Sequence, residues 1–158
     1  MNCYPLAVSL PAEFEKARGF DVWLQVGRTN LKAHRVLNQL LASLDLTLAQ
    51  HEILMMIRQY SGLSQKQLSE KLVVVKSNVS ALLKKLEARG LVRRLSDPAD
   101  SRNKRLSLTE TGDELLCKSF SLQNQVVEAM TSALTDEDLQ RTGEMMMRVN
   151  KALDQIQT

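Results

Sequence analysis

Between Val79 and Leu108 the apolar residues change their period, and no other feature of the chain restricts the fold as much. Val79, Leu82, Leu83 and Leu86 follow the i, i+3, i+4, i+7 rule of a single helical face. Past Gly90, the runs Leu91-Val-Arg-Arg-Leu95 and Lys104-Arg-Leu-Ser-Leu108 alternate, so that positions 91, 93, 95 and 104, 106, 108 share faces as they do in strands. The segment between them, Ser96-Asp-Pro-Ala-Asp-Ser-Arg-Asn103, is rich in turn formers. A helix over about 76–89 is therefore expected to end on Gly90 as its left-handed C′ residue, and to be followed by a hairpin with a long polar tip.

The remaining pattern is helical. A length of 158 residues fits one domain, or one compact body with extensions. Six glycines and three prolines are too few for an all-β chain that turns every ~8–12 residues. Residues 1–11 read as a loose arm. From Ala12 to about Ser43 no proline intervenes, and Leu24, Leu31, Leu37, Leu41 and Leu44 recur close to one face, with Gly19 and Gly27 as weak points. Thr47-Leu-Ala-Gln50 and Ser64-Gln-Lys-Gln67 carry capping-box spacing, predicting helices to about Tyr60 and over about 64–71. Thr109 is placed to cap a helix over about 110–133 carrying Leu115, Leu116, Phe120, Val127, Met130 and Leu134. Thr135, followed by Asp136, Glu137 and Asp138, starts the last helix with its acids at the positive end of the dipole. That helix presents Leu139, Met146, Val149, Leu153 and Ile156 at spacings near those of a coiled-coil seam.

Charge is concentrated where the period changes. From Lys84 to Arg105 eight basic residues face three acids, a local net charge of +5 against +3 for the whole chain. An amphipathic helix with Ser77, Asn78, Ser80, Lys84 and Lys85 outside is, taken alone, an ordinary solvated face. The order short helix, tight turn, polar and basic helix, glycine, basic hairpin is that of a helix-turn-helix followed by a wing. A helix fits the major groove, where Ser, Asn and Lys reach base edges. An arginine on a hairpin tip suits the narrower, more negative minor groove. Ser64, Gln65 and backbone N–H groups at helix starts can take phosphates.

These residues resemble the MarR family of winged helix-turn-helix regulators from about Leu46 to Leu115. The resemblance is carried by Leu46-Thr-Leu-Ala-Gln50, by Leu63 to Leu72, by Lys76 to Val92 and, most specifically, by Asp97-Pro-Ala-Asp-Ser-Arg-Asn-Lys-Arg-Leu-Ser-Leu-Thr-Glu-Thr-Gly112, which fits D-x-x-D-x-R-x-x-x-L-x-L-T-x-x-G. It implies a mainly α fold with a small β-hairpin wing: N-terminal arm and dimerisation helix 1–45, DNA-binding winged helix-turn-helix 46–112, C-terminal dimerisation helices 113–158. It also implies a cytoplasmic regulator, a repressor, acting as a homodimer on a palindromic operator in double-stranded DNA. Carried over position by position, Ser77, Asn78, Ser80 and Lys84 face bases or phosphates and Arg102 enters the minor groove. Asp100 orients Arg102, and Arg105 contacts a phosphate. A second reading of the same fold is a protein-interaction module that reads no DNA. The sequence departs from the family at Leu72-Val-Val-Val-Lys76, where a glycine and a small polar cap are usual. Val73 is costly in a left-handed conformation and Val75 cannot cap, so either the turn is remodelled or Ser77 starts the helix later.

Similar proteins bind small aromatic or phenolic effectors between dimer helices and DNA-binding lobe, and Trp23, His34, Leu37, His51 and Met55 are the matching positions here. A lone histidine or methionine on an apolar helix is also an ordinary packing residue. Redox-sensing relatives use a cysteine early in the first long helix, a position that neither Cys3 nor Cys117 matches. With two histidines and no HxxxH no metal site is expected, and no cofactor either. Without G-x-S-x-G or a Gly-rich phosphate loop the chain is not expected to be an enzyme. Two cysteines in no paired spacing suit a reducing compartment, and the opening MNCYPLAVSLP lacks the basic start of a leader.

Overall fold

The structure, a computed structural model, describes residues 18–72, 78–96 and 104–156. Expectations for the arm 1–11, for the beginning of the first helix before Arg18, for the turn at 73–77 and for the hairpin tip at 97–103 lie outside the described residues. Contacts divide the chain between Val36 and Leu37 into two compact units. The element order is α1 (Phe20–Leu41), a 3-10 turn (Ala42–Leu44), α2 (Leu48–Gln59), α3 (Gln65–Lys71), α4 (Val79–Ala88), β1 (Val92–Ser96), β2 (Lys104–Leu108), α5 (Glu110–Thr131) and α6 (Asp136–Asp154). No single helix among the described residues is long and apolar enough to cross a membrane.

The helix starts are where the capping signals place them. At α2, Gln50 N donates to Thr47 Oγ1 (3.2 Å) while Thr47 N donates to Gln50 Oε1 (2.9 Å). Ser64 and Gln67 repeat this at α3, as do Thr135 and Asp138 at α6. Each box satisfies two N–H groups that the helix itself leaves without partners. Thr135 donates as well, through Oγ1 to Asp138 Oδ2 (2.8 Å), and this bond holds the Asp138 carboxyl below the usual carboxylate range.

The core of the second unit is aliphatic. Leu41, Ile53, Leu54, Leu68, Leu72, Leu83, Leu86, Leu106 and Leu116 are almost fully buried. They bring α2, α3, α4, α5 and the foot of the hairpin together. Strands β1 and β2 pair antiparallel from Val92 opposite Leu108 to Ser96 opposite Lys104. Leu106 N also donates to the Leu63 carbonyl (2.8 Å), so the residues just before α3 extend this sheet.

Of the buried polar residues, His51 and Ser119 partner each other between α2 and α5. His51 packs edge-on to Phe120, its Nδ1 2.9 Å from Ser119 Oγ and its Nε2 2.7 Å from Gln123 Oε1. Ser119 in turn donates to the Leu116 carbonyl (2.8 Å). Gln123 Oε1 only accepts, so the neutral ring carries its single proton on Nε2 and donates it there, while Nδ1 accepts from the Ser119 hydroxyl, whose proton it shares with the Leu116 carbonyl. Burial favours this neutral form and lowers the His51 pKa, opposed by the Gln123 bond and by the charge of Glu52.

Candidate nucleic-acid interface

The polar helix begins later than its sequence suggests. The expected start near Lys76 is corrected to Val79, because Asn78 is left-handed (φ 66°, ψ 25°) and interrupts a right-handed run. Asn tolerates this conformation better than most residues with a Cβ. Its side chain makes no cap bond, and its carbonyl accepts from Ala81 N and Leu82 N (both 3.1 Å). Val79, Leu83 and Leu86 then turn inward, leaving Ser80, Lys84 and Lys85 exposed along the opposite side. Ser77 lies outside the described residues.

Gly90 ends α4 as expected, with φ 68°. Gly90 N donates to the Glu87 carbonyl and Leu91 N to the Leu86 carbonyl (both 2.9 Å), a complete Schellman closure with two buried leucines packed beneath it. The hairpin leaves from this point and returns to it. Thr109 N donates to the Leu91 carbonyl (3.1 Å) and Thr109 Oγ1 to the Gly90 carbonyl (2.6 Å), while Thr109 Oγ1 accepts from Gly112 N (3.0 Å). A Cβ on Gly112 would stand 2.0 Å from the Leu91 oxygen, so only glycine admits this approach.

On the hairpin, Val92, Arg94, Leu106 and Leu108 share one face and Arg93, Leu95, Arg105 and Ser107 the other. Arg94 donates through Nε to Glu87 Oε1 and through Nη2 to Gln65 Oε1 (3.0 Å). Gln65 Nε2 donates to Ser80 Oγ (2.6 Å). The two expected contact residues Gln65 and Ser80 are thus bonded to each other, one from α3 and one from α4. Arg89 is also engaged internally, its guanidinium donating to the carbonyls of Asp45 (2.6 Å) and Leu44 (3.4 Å) at the turn before α2. The basic cluster is therefore partly structural, a division that its charge count could not show.

Arg105 extends over Gly62, whose φ is 79°. It lines an open groove of about 590 Å³ together with Ser64, Lys66, Gln67, Glu70 and Lys104. Asp100 and Arg102 lie outside the described residues. Of the residues expected around an effector, Trp23 is exposed and stacked on Phe20, and His34 is half-buried. In the second unit Leu37 and His51 are buried and Met55 half-buried. Nothing in the sequence pointed to Glu87, Arg89 and Arg94 as partners of these elements, because each pair is brought together by the tertiary fold.

A capped short helix, a second helix with a polar outer face and a basic hairpin hydrogen-bonded to both define the winged helix-turn-helix class. The MarR family profile matches residues 46–104. An HTH-type transcriptional regulator of Bacillus cereus is 31% identical over 84% of this chain and 89% of its own length. The transcriptional regulator HosA of Escherichia coli O111:H- is 34% identical over 60% of this chain and 70% of its own. Among solved structures, a C80S mutant of E. coli MarR complexed with operator DNA superimposes with a TM-score of 0.71 and 27% identity, covering 82% of this chain and 93% of that one. The chain belongs to the MarR family of transcriptional regulators.

Proposed function

We propose that the chain is a cytoplasmic repressor that binds a palindromic DNA operator as a homodimer. One observation carries the reading: the exposed side of α4 with Asn78, Ser80 and Lys84 is flanked by α3 and by a basic hairpin, and side-chain bonds join all three. In this reading α4 enters the major groove, with Ser77 and Asn78 at its leading end and Ser80 and Lys84 along its length. Ser64, Gln65 and Arg105 meet phosphates beside the major groove, and Arg102, oriented by Asp100, reaches into the minor groove. The E. coli MarR that this chain resembles at 27% identity was crystallised with its operator, which supports the same use of the fold.

The homodimer is supported by surface that one chain leaves uncovered. Helix α6 buries none of its residues, although Leu139, Met146, Val149 and Leu153 lie along it. Val127 and Met130 of α5 are 47% and 48% exposed. An apolar row of this length is a mark of an interface. We assign dimerisation to residues 1–45 and 113–158 and DNA reading to 46–112. An aromatic or phenolic effector that releases the repressor would draw on Trp23, His34, Leu37, His51 and Met55. Here His51 serves as a wall, its ring nitrogens already being bonded.

Selection of bound duplexes from a random library tests the proposal. A two-fold symmetric site with half-sites about one helical turn apart is expected. Arg102→Ala should weaken operator binding by about 1–3 kcal/mol in fluorescence anisotropy while the dimer persists in sedimentation. A protein that selects no sequence and binds no duplex at low salt overturns the reading, leaving a protein-interaction module of the same fold.

A further inference from the structure

The bonds joining Glu87, Arg94, Gln65 and Ser80 have a fixed direction. Arginine only donates, so the end of the Gln65 amide that meets Arg94 Nη2 must be the carbonyl oxygen. The NH2 end is thereby turned to Ser80, and because an amide NH2 only donates, Ser80 Oγ accepts. A serine hydroxyl has one proton, and in this arrangement Gln65 does not receive it. Glu87, in the last turn of α4, holds Arg94 through Nε. Both side chains are substantially covered, with 25% and 34% of their surface exposed.

We propose that Glu87 and Arg94 are positioning residues that set the hydrogen-bond polarity of Ser80 through Gln65, so that Ser80 offers its proton to an acceptor on a base edge. This deepens, and rests on, the reading of α4 as the groove-binding helix. Ser alone is indifferent between base edges because it can donate or accept. Held as a donor, it favours the N7 or O6 of guanine, the N7 of adenine or the O4 of thymine, and disfavours an amino group of adenine or cytosine. The specificity of one position in each half-site is then written partly in β1, whose Arg94 does not contact the base.

Gln65→Glu tests this by reversing the polarity. A carboxylate still pairs with Arg94 but accepts at both oxygens, so Ser80 must donate inward and present a lone pair outward. Library selection with the full-length protein should show one base position per half-site moving from an acceptor to an amino-bearing edge. Preference for the original base should fall several-fold, towards the lower end of the about 5- to 150-fold that a full bidentate contact confers. In a Ser80→Ala background the same change should alter no base preference. Arg94→Lys, which cannot span both Glu87 and Gln65, and Glu87→Gln should relax the same position, with urea midpoints reporting that each variant is folded. The added negative charge also lowers affinity for every sequence alike, which base preference does not register. Uniform weakening with unchanged preference in Gln65→Glu would overturn the proposal. So would an Arg94→Gln variant that keeps the preference but loses about one unit of salt slope, the mark of a direct phosphate contact. A wild-type protein that enriches no sequence would instead overturn the DNA-reading function beneath it.

Discussion

Gly112→Ala places a methyl group where the structure has no room. The new Cβ would lie 2.0 Å from the Leu91 oxygen, 2.9 Å from its carbonyl carbon and 3.2 Å from its Cα. All three are backbone atoms, so no rotamer change relieves the contact, and the backbones must separate by about 1.4 Å or more to reach ordinary packing distance. That movement breaks the bonds from Thr109 N to Leu91 O and from Thr109 Oγ1 to Gly90 O, each worth about 0.5–1.5 kcal/mol. Overpacking adds about 1–3 kcal/mol, and the better helix propensity of alanine returns about 1 kcal/mol. The expected net loss is about 3 kcal/mol in urea denaturation, read at a fixed protomer concentration because any self-association adds to apparent stability. Operator affinity should also fall at temperatures where the variant is still folded, since the displaced segment is the base of the hairpin. A variant within about 0.5 kcal/mol of the wild type would refute the claim that this contact limits position 112.

Leu153→Asp should abolish self-association in sedimentation, because it places a charge in the apolar row of α6; an unchanged dimer removes α6 from the interface. Asn78→Gly should leave stability within about 1 kcal/mol, since glycine adopts the left-handed conformation freely, while operator selectivity drops. Unchanged selectivity would take Asn78 out of the reading surface. His51 has a folded pKa below its unfolded value near 6.5, so the unfolded chain binds the proton more readily. Its contribution is therefore complete above pH 6.5 and is lost as pH falls through the lowered folded value. Urea midpoints measured from pH 8 to pH 5 should decline below pH 6.5, and the decline should be smaller in His51→Gln.

Local signals in the sequence were enough to place most of the helices. Thr47, Ser64, Thr109 and Thr135 cap where hydroxyl-to-third-residue spacing puts them, and Gly90 closes α4, because these motifs act within four residues of chain. The start of α4 was not legible in this way. The residue before Lys76 is a valine, a type that cannot cap, and the left-handed Asn78 at the start of α4 leaves no distinctive mark in the sequence. In the candidate interface the residue types and their outer face were readable from periodicity and from the resemblance. The bonds between Gln65 and Ser80, Arg94 and Gln65, and Arg89 and Asp45 were not, since they join residues 15, 29 and 44 positions apart. For the same reason a charge count treats Arg89 and Arg94 as equivalent to Lys84, although the first two spend their donors inside the protein.

The foot of the hairpin, where Leu91 and Thr109 meet, separates two inheritances. With both ends pinned to the helical body, the intervening tip can lengthen, shorten or change composition at small cost, about 0.6 kcal/mol for each doubling of a flexible loop. The foot fixed by Leu91 and Thr109 can therefore pass unchanged from ancestor to descendant while the length of chain beyond the two strands varies.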